Sequence, residues 1–174
     1  MKHLAVISWI LIICGFVVNA NAASSSPNRV SVGVRYHGTN EAVHVVPFGD
    51  NDISYSLAYE YHEDAGYWQI GVLYTPEIER DRSIDSVLTP YVNLIFTSDM
   101  WHLGVGILKS RVEQSDGSRW SDIYWQFITG LSIPFPGRIS LTLYAFYVFA
   151  EWGDVFDDFD SDALEWGGTL SLSF

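Results

Sequence analysis

Apolar and small polar residues alternate along most of this 174-residue chain. The pattern is clearest over residues 163–174, where one side of a two-residue repeat is apolar or aromatic and the other is small or polar. Side chains of a β-strand point alternately to opposite faces, so this period predicts a strand with one apolar face. The apolar face holds Leu164, Trp166, Leu170, Leu172 and Phe174.

Further stretches upstream alternate in the same way, and together they predict eight strands. The connections are rich in Gly, Pro, Asn and Asp and alternate between long and short. Such alternation is typical of an up-and-down antiparallel barrel with long loops at one end and tight turns at the other. The predicted strands cover residues 30–36, 52–61, 67–75, 87–96, 100–110, 120–133, 138–149 and 163–174, and the long connections cover 37–51, 77–85, 111–119 and 151–162.

The polar faces of these strands consist mostly of Ser, Thr and Gly, whereas a water-facing surface would be rich in Lys and Glu. A soluble barrel of the lipocalin type, with its apolar face inward, is therefore disfavoured. Charged residues gather in the connections, as a hydrocarbon environment demands of crossing segments. Tryptophans near both ends of the strands predict aromatic belts at two bilayer interfaces. They are Trp68 and Trp101 at the turn end, and Trp120, Trp152 and Trp166 at the loop end.

The pattern over residues 23–174 resembles the small bacterial outer-membrane barrels of the OmpA-domain, OmpX and PagP kind. The resemblance rests on the alternation, the connection lengths and the terminal aromatic residue, without a family-specific motif. It implies an all-β, eight-stranded antiparallel up-and-down transmembrane barrel in the outer membrane of a Gram-negative cell. It also implies insertion by the barrel assembly machinery with Phe174 as the assembly signal, so a truncation that lacks Phe174 should assemble poorly.

The N-terminal residues 1–22 have the features of a secretory signal peptide: a charged start, an apolar run over residues 4–18 and an Ala-x-Ala end. The run is shorter than the roughly 20 apolar residues that a transmembrane helix needs. We therefore expect export with cleavage after Ala22, which leaves a single domain over residues 23–174. The one cysteine, Cys14, lies in the removed segment, so the mature chain has no disulfide chemistry.

Ten side chains are predicted to form a polar network inside the barrel. An eight-stranded barrel is just wide enough for side chains to fill it, and unpaired charges there would be costly. We therefore expect Glu60 to meet Arg35 or Arg138 in a hydrogen-bonded cluster. The predicted inward-facing residues are Arg35, Glu60, Tyr67, Gln69, Tyr91, Asn93, His102, Gln126, Arg138 and Tyr144.

The net charge of −12 disfavours nucleic acid as a partner. Basic residues are nevertheless predicted at the rim of the loop end, where the outer leaflet would present lipopolysaccharide phosphates. The side chain of Lys109 falls on the lipid-facing side and is long enough to reach that interface. The predicted lipopolysaccharide contacts are Arg80, Arg82, Lys109, Arg111 and Arg119.

The acidic connection 151–162 is a weak candidate for a surface Ca²⁺ or Mg²⁺ site, and no other cofactor is expected. Its Asp-x-Asp-x-Asp run resembles the start of an EF-hand, but Ala163 stands where that loop needs glycine and Thr169 where it needs glutamate. A solvated acidic loop is the simpler interpretation. The candidate ligands are Asp157, Asp158, Asp160 and Asp162.

Three functions remain open on this sequence. The favoured one is a non-enzymatic barrel that presents loops for membrane integrity or surface contact. The second is a lipid A-modifying or lipid-binding barrel, with an acyl chain held by inward apolar residues and His37, His44 or Ser54 as loop-side candidates for a nucleophile or base. No motif joins those three residues, and the His-x-Ser pairing of the PagL-like deacylases is absent. The third is a narrow solute channel.

Overall fold

A computed structural model describes residues 27–38, 48, 52–76, 78, 84–153 and 161–174. The described part is an all-β, closed, up-and-down barrel in which each strand pairs antiparallel with its neighbours and β8 closes on β1. This confirms the predicted fold class. The strands are β1 (Asn28–Tyr36), β2 (Ile53–Glu63), β3 (Gly66–Pro76), β4 (Ile84–Ser98), β5 (Trp101–Gln114), β6 (Gly117–Pro134), β7 (Ile139–Phe149) and β8 (Leu164–Ser173).

The register of the strands places the polar and apolar faces as the alternation predicts. Along β2, for example, Tyr55, Leu57 and Tyr59 point outward, while Ala58 and Glu60 are buried inside. A register slip of one residue would exchange the two faces of a strand, so the contrast between them holds the register. The large apolar side chains that the strands expose lie on the outer surface.

The predicted loop over residues 111–119 is wrong. There β5 and β6 continue as a hairpin to Gln114 and Gly117, joined by a two-residue turn. The sequence here lacks the alternation of apolar and polar residues that predicts a strand, because this hairpin extends beyond the apolar part of the barrel. Val112 of this hairpin is buried against Val87 of the neighbouring strand β4. Gly117 supplies the positive φ of 143° beside the turn. Among the described strands, the β5–β6 connection is therefore short, and long stretches of chain separate β1 from β2, β3 from β4 and β7 from β8.

Gly106 and Gly33 are two of the glycines that allow close approach inside the barrel. A Cβ on Gly106 would lie 1.9 Å from Oδ1 of Asn93, so glycine leaves room for that amide to reach the centre of the lumen. A Cβ on Gly33 would lie 2.3 Å from the backbone oxygen of Gly168, across the seam where β1 meets β8. Both positions need a residue without a side chain because the narrow barrel is filled from all sides.

Apolar side chains form layers inside the barrel. One layer at the loop end brings together Ile78, Ile84, Val87 and Val112, with Phe48 packed against them. A deeper layer contains Ala58, Leu73, Tyr91, Leu108, Tyr124 and Val148. A third contains Tyr67, Ile95, Ile128 and Tyr144. Within the described ranges, no helix is long and apolar enough to cross a membrane.

Candidate functional site

A series of hydrogen-bonded side chains runs through the lumen from the turn end toward the loop end. At the turn end, the carboxylate of Glu60 lies 2.9 Å from Nε2 of His62 and accepts a hydrogen bond from the Gln69 amide at 3.1 Å. Ser171 adds a longer contact of 3.5 Å to the same carboxylate. A buried carboxylate with several donors around it avoids the cost of an unsatisfied charge.

Three side-chain amides continue the series across the barrel. Asn93 donates to the side-chain oxygen of Gln69 at 2.8 Å, and Gln126 donates to Oδ1 of Asn93 at 2.7 Å. Gln126 in turn accepts from the Arg35 guanidinium at 2.9 Å. Each amide therefore uses both its donor and its acceptor, which lets neutral polar groups fill the centre of the lumen at little cost.

Arg35 forms its ion pair with Glu165, at 2.5 Å between Nε and Oε2, and both side chains are buried. Its guanidinium also lies 4.0 Å from the centre of the Phe146 ring, within cation–π range. Arg35 therefore makes no direct pair with Glu60, but both belong to the predicted hydrogen-bonded network, joined through Gln126, Asn93 and Gln69. The two residues lie toward opposite ends of their strands: Arg35 stands opposite Ser54 and Gly167 in the sheet, whereas Glu60 stands opposite Arg29 and Gln69.

His37 joins this series to the loop end of the barrel. Its Nδ1 lies 3.0 Å from Oε1 of Glu165 and its Nε2 lies 2.6 Å from Oγ of Ser54. Ser54 Oγ is also 2.6 Å from Oγ1 of Thr75. The ring of Phe48 stacks on the imidazole at a centroid distance of 3.9 Å. These contacts enclose His37 and Ser54, both of which are buried.

Of the ten predicted network residues, nine are buried and Arg138 is only partly buried, in the turn before β7. Tyr67, Tyr144 and His102 form a second group, with 2.7 Å between the two tyrosine hydroxyls and 3.1 Å from Tyr67 to Nδ1 of His102. Tyr91 packs in the deeper apolar layer. Ser54 and His37, which the sequence named only as loop-side candidates, belong to the first series.

Glu165, Thr75, His62 and Ser171 are members of the site that the sequence analysis did not include. The signal for Glu165 was present, because a charged residue at an inward position of a crossing strand needs a partner. Its partners could not be found from sequence, since β1 and β8 lie at opposite ends of the chain and meet only when the barrel closes. Thr75 resembles every other small polar residue on the inner face and carries no separate signal.

The lumen is nearly filled between these groups. The cavity beside Arg35, Leu73 and Phe146 has a volume of about 20 Å³, which is enough for about one water molecule. A larger, open cavity of about 330 Å³ lies at the turn end, where Arg29, His102 and Arg138 line it. The inward apolar residues that were candidates for an acyl-chain pocket pack into the layers described above.

We expect the folded protein to pass no ions, because side chains on every strand interlock across the lumen. The measurement is the current across a planar bilayer after insertion of the purified protein at increasing amounts. A general porin inserted under the same conditions provides the positive control. Discrete conductance steps that scale with the amount of folded protein would contradict a filled lumen.

The predicted rim residues that the structure describes lie on the β5–β6 hairpin. Lys109 Nζ is 5.7 Å from the centre of the Trp120 ring, and Arg111 lies 3.7 Å from the carboxylate of Glu113 and 3.2 Å from Ser118 Oγ. Arg119 is exposed. The predicted contacts Arg80 and Arg82 lie outside the described residues.

The candidate metal ligands are mostly beyond the described part of the chain. Asp157, Asp158 and Asp160 lie outside it, and Asp162 lies in the 3-10 turn Ser161–Ala163 before β8. Among the residues that are described, no group of three or more His, Cys, Asp or Glu side chains is placed to hold a metal ion.

Comparison with known proteins gives similarity in fold alone. No family model matches the chain, and no curated protein matches its sequence. Neisserial surface protein A superimposes with a TM-score of 0.59 at 12% identity, over 87% of this chain and 100% of that one. Ail, the attachment invasion locus protein of Yersinia pestis, gives a TM-score of 0.42 at 16% identity, over 86% of this chain and 98% of that one. The likeness to the Neisserial protein agrees with the resemblance to small outer-membrane barrels.

Proposed function

We propose that this protein is an integral outer-membrane barrel that acts at the cell surface by contact, with the β5–β6 hairpin bound to phosphate groups of the outer leaflet. The observation that carries this proposal is the position of the basic and aromatic side chains of the hairpin. They lie on the outside of the barrel, directly above its apolar outer surface.

The apolar outer surface supports a position in a bilayer. Outward side chains of the strands, such as Ile70 and Leu103, are more than half exposed in the isolated chain. A soluble protein rarely leaves so large a continuous apolar surface open to water. Exposed tryptophans flank it: Trp68 and Trp101 at the turn end, and Trp166 near the loop end.

The positions of the hairpin's cations support contact with lipid phosphates. Lys109 and Trp120 point outward, one on each strand of the hairpin, with the ammonium over the indole ring. An aromatic ring at the interface with a cation beside it matches the apolar and anionic parts of a lipopolysaccharide headgroup. Arg111 is tied to Glu113 only by an exposed pair, which is worth about 0 to 1 kcal/mol and leaves its guanidinium available to phosphate.

We expect the triple variant Lys109→Gln, Arg111→Gln, Arg119→Gln to lose thermal stability selectively in vesicles that contain lipopolysaccharide. In vesicles of zwitterionic phosphatidylcholine alone the loss should be small, because each headgroup phosphate there is balanced by its own ammonium group, whereas lipopolysaccharide presents clustered phosphates with a net negative charge. The measurement is the midpoint of thermal unfolding, followed by the heat-dependent shift in gel mobility.

Arg138→Gln is the control, since this arginine lies at the turn end, away from the outer leaflet. It should shift the midpoint equally in the two kinds of vesicle. An equal loss for the triple variant in both would show that the hairpin cations act within the protein and make no contact with lipopolysaccharide.

A further inference from the structure

Ser54, His37 and Glu165 lie close together inside the barrel, in an arrangement that the proposed lipopolysaccharide contact does not involve. The hydroxyl of Ser54 lies 2.6 Å from Nε2 of His37, and Nδ1 of the same ring lies 3.0 Å from the carboxylate of Glu165. A hydroxyl therefore hydrogen-bonds one nitrogen of the imidazole, and a carboxylate lies beside the other at ion-pair distance without forming an aligned hydrogen bond. This is the arrangement in which a histidine takes a proton from a serine while a carboxylate orients and stabilises the ring.

Three separate pieces of the chain build this geometry. Tyr36, the last residue of β1, stands opposite Ile53 of β2 on one side and Trp166 of β8 on the other. His37 follows directly, and its backbone N–H donates to the carbonyl of Asp52 at 3.0 Å. The imidazole is thus held between the first inward residue of β2 and the first inward residue of β8. Arg35 fixes the orientation of the Glu165 carboxylate from the other side.

We propose that Ser54 is the nucleophile of a serine-hydrolase site at the loop end of the barrel, which cleaves carboxylic esters with an apolar acyl group. His37 is the general base and Glu165 orients it. The apolar specificity follows from the neighbouring wall: Phe48 stacks on His37 and packs against a cluster of buried aliphatic side chains. Thr75, at 2.6 Å from Ser54 Oγ, is a positioning residue that holds the hydroxyl toward the imidazole.

The reaction balances with water as the only co-reactant. Ser54 Oγ attacks the ester carbonyl carbon while His37 Nε2 takes the hydroxyl proton. Collapse of the tetrahedral intermediate breaks the bond from the carbonyl carbon to the ester oxygen, and His37 gives the proton to the departing alcohol. Water then attacks the acyl-serine, His37 accepts a proton from it, and that proton returns to Ser54 as the carboxylic acid leaves.

A catalytic serine reacts once a reagent can reach it, whereas a serine that only fills the lumen does not. Ser54 is fully buried and the Phe48 ring covers the imidazole beside it, so we expect removal of that ring to ease the approach of an ester to the serine. If the three residues only fill the lumen, removal of that ring would expose an ordinary serine. An ordinary serine does not react with acylating or phosphonylating reagents at neutral pH, since its hydroxyl is a weak nucleophile without a base.

The test uses the mature protein refolded in detergent, with a fluorophosphonate probe and p-nitrophenyl butyrate as substrate. We expect phosphonylation of Ser54, located by peptide mass mapping, and faster labelling in Phe48→Ala. Ser54→Ala should abolish both labelling and hydrolysis. His37→Gln should lower both by about 100-fold or more, the usual contribution of a general base.

Ser56→Ala is the matched control, because Ser56 lies two residues along the same strand and lines the lumen away from His37. It should leave labelling unchanged, and the heat-dependent gel shift of each variant reports whether it has folded. Folded wild-type protein and folded Phe48→Ala that both remain unlabelled at Ser54 would overturn the proposal. That result would leave the lipopolysaccharide contact of the hairpin untouched, since the two rest on different residues.

Discussion

Arginine in place of Ile70 is expected to destabilise the barrel in a phospholipid bilayer by about 2–4 kcal/mol. Ile70 lies in the middle of β3, opposite Tyr59 and Val92, and 58% of its surface is exposed in the isolated chain. If that exposed surface faces hydrocarbon, the guanidinium either loses its hydration in the lipid or distorts the bilayer around it, and both cost free energy. The measurement is the free energy of unfolding in vesicles, from urea titration followed by tryptophan fluorescence.

Phe135→Arg provides the matched control for this substitution. Phe135 is also an exposed apolar residue, but it lies in the turn between β6 and β7, where water reaches it. We expect its replacement to change the free energy of unfolding by only about 0.5 kcal/mol. Equal small effects at the two positions would mean that the outer surface faces water, which would contradict the proposed position in a bilayer.

Methionine in place of Arg35 is expected to cost about 3–5 kcal/mol, because it leaves the buried carboxylate of Glu165 without its arginine. His37 still contacts that carboxylate but replaces only part of the lost interaction. Adding Glu165→Met to Arg35→Met should recover much of the stability, since the pair is removed together and no charge is left buried. Urea unfolding in phospholipid-only vesicles measures all three proteins.

The exposed pair Arg111–Glu113 is the control for the buried one. Its charged groups lie 3.7 Å apart with side chains 43% and 52% exposed, so Arg111→Met should cost less than about 1 kcal/mol. A double variant at Arg35 and Glu165 that is less stable than the single Arg35→Met would contradict the electrostatic explanation. It would show instead that the two side chains act mainly by filling space in the lumen.

The alternation along the chain was sufficient to predict the barrel. In a strand with one face toward an apolar surrounding and the other toward a narrow polar lumen, apolar and polar residues alternate one by one. The sequence alone therefore shows which residues share a face. The eight strands, their order and the inward position of Glu60, Asn93 and Gln126 were all accessible in this way. The boundary of the β5–β6 hairpin could not be predicted, because beyond the apolar outer surface of the barrel both faces of a strand can be polar and the two-residue period disappears.

The partners of the inward groups were decided only by the closed barrel. Alternation places Arg35 and Ser54 near one end of the lumen, with His37 in the connection that follows the first strand, but it does not state which strand lies across from them. That depends on the register of every pair around the barrel and on the seam between β1 and β8, which brings Glu165 next to residues about 130 positions away. The two-residue period in the sequence shows whether a side chain points into the barrel or out of it. The distance between two inward groups is set by how the sheet twists and closes, so the Ser54, His37 and Glu165 arrangement exists only in three dimensions.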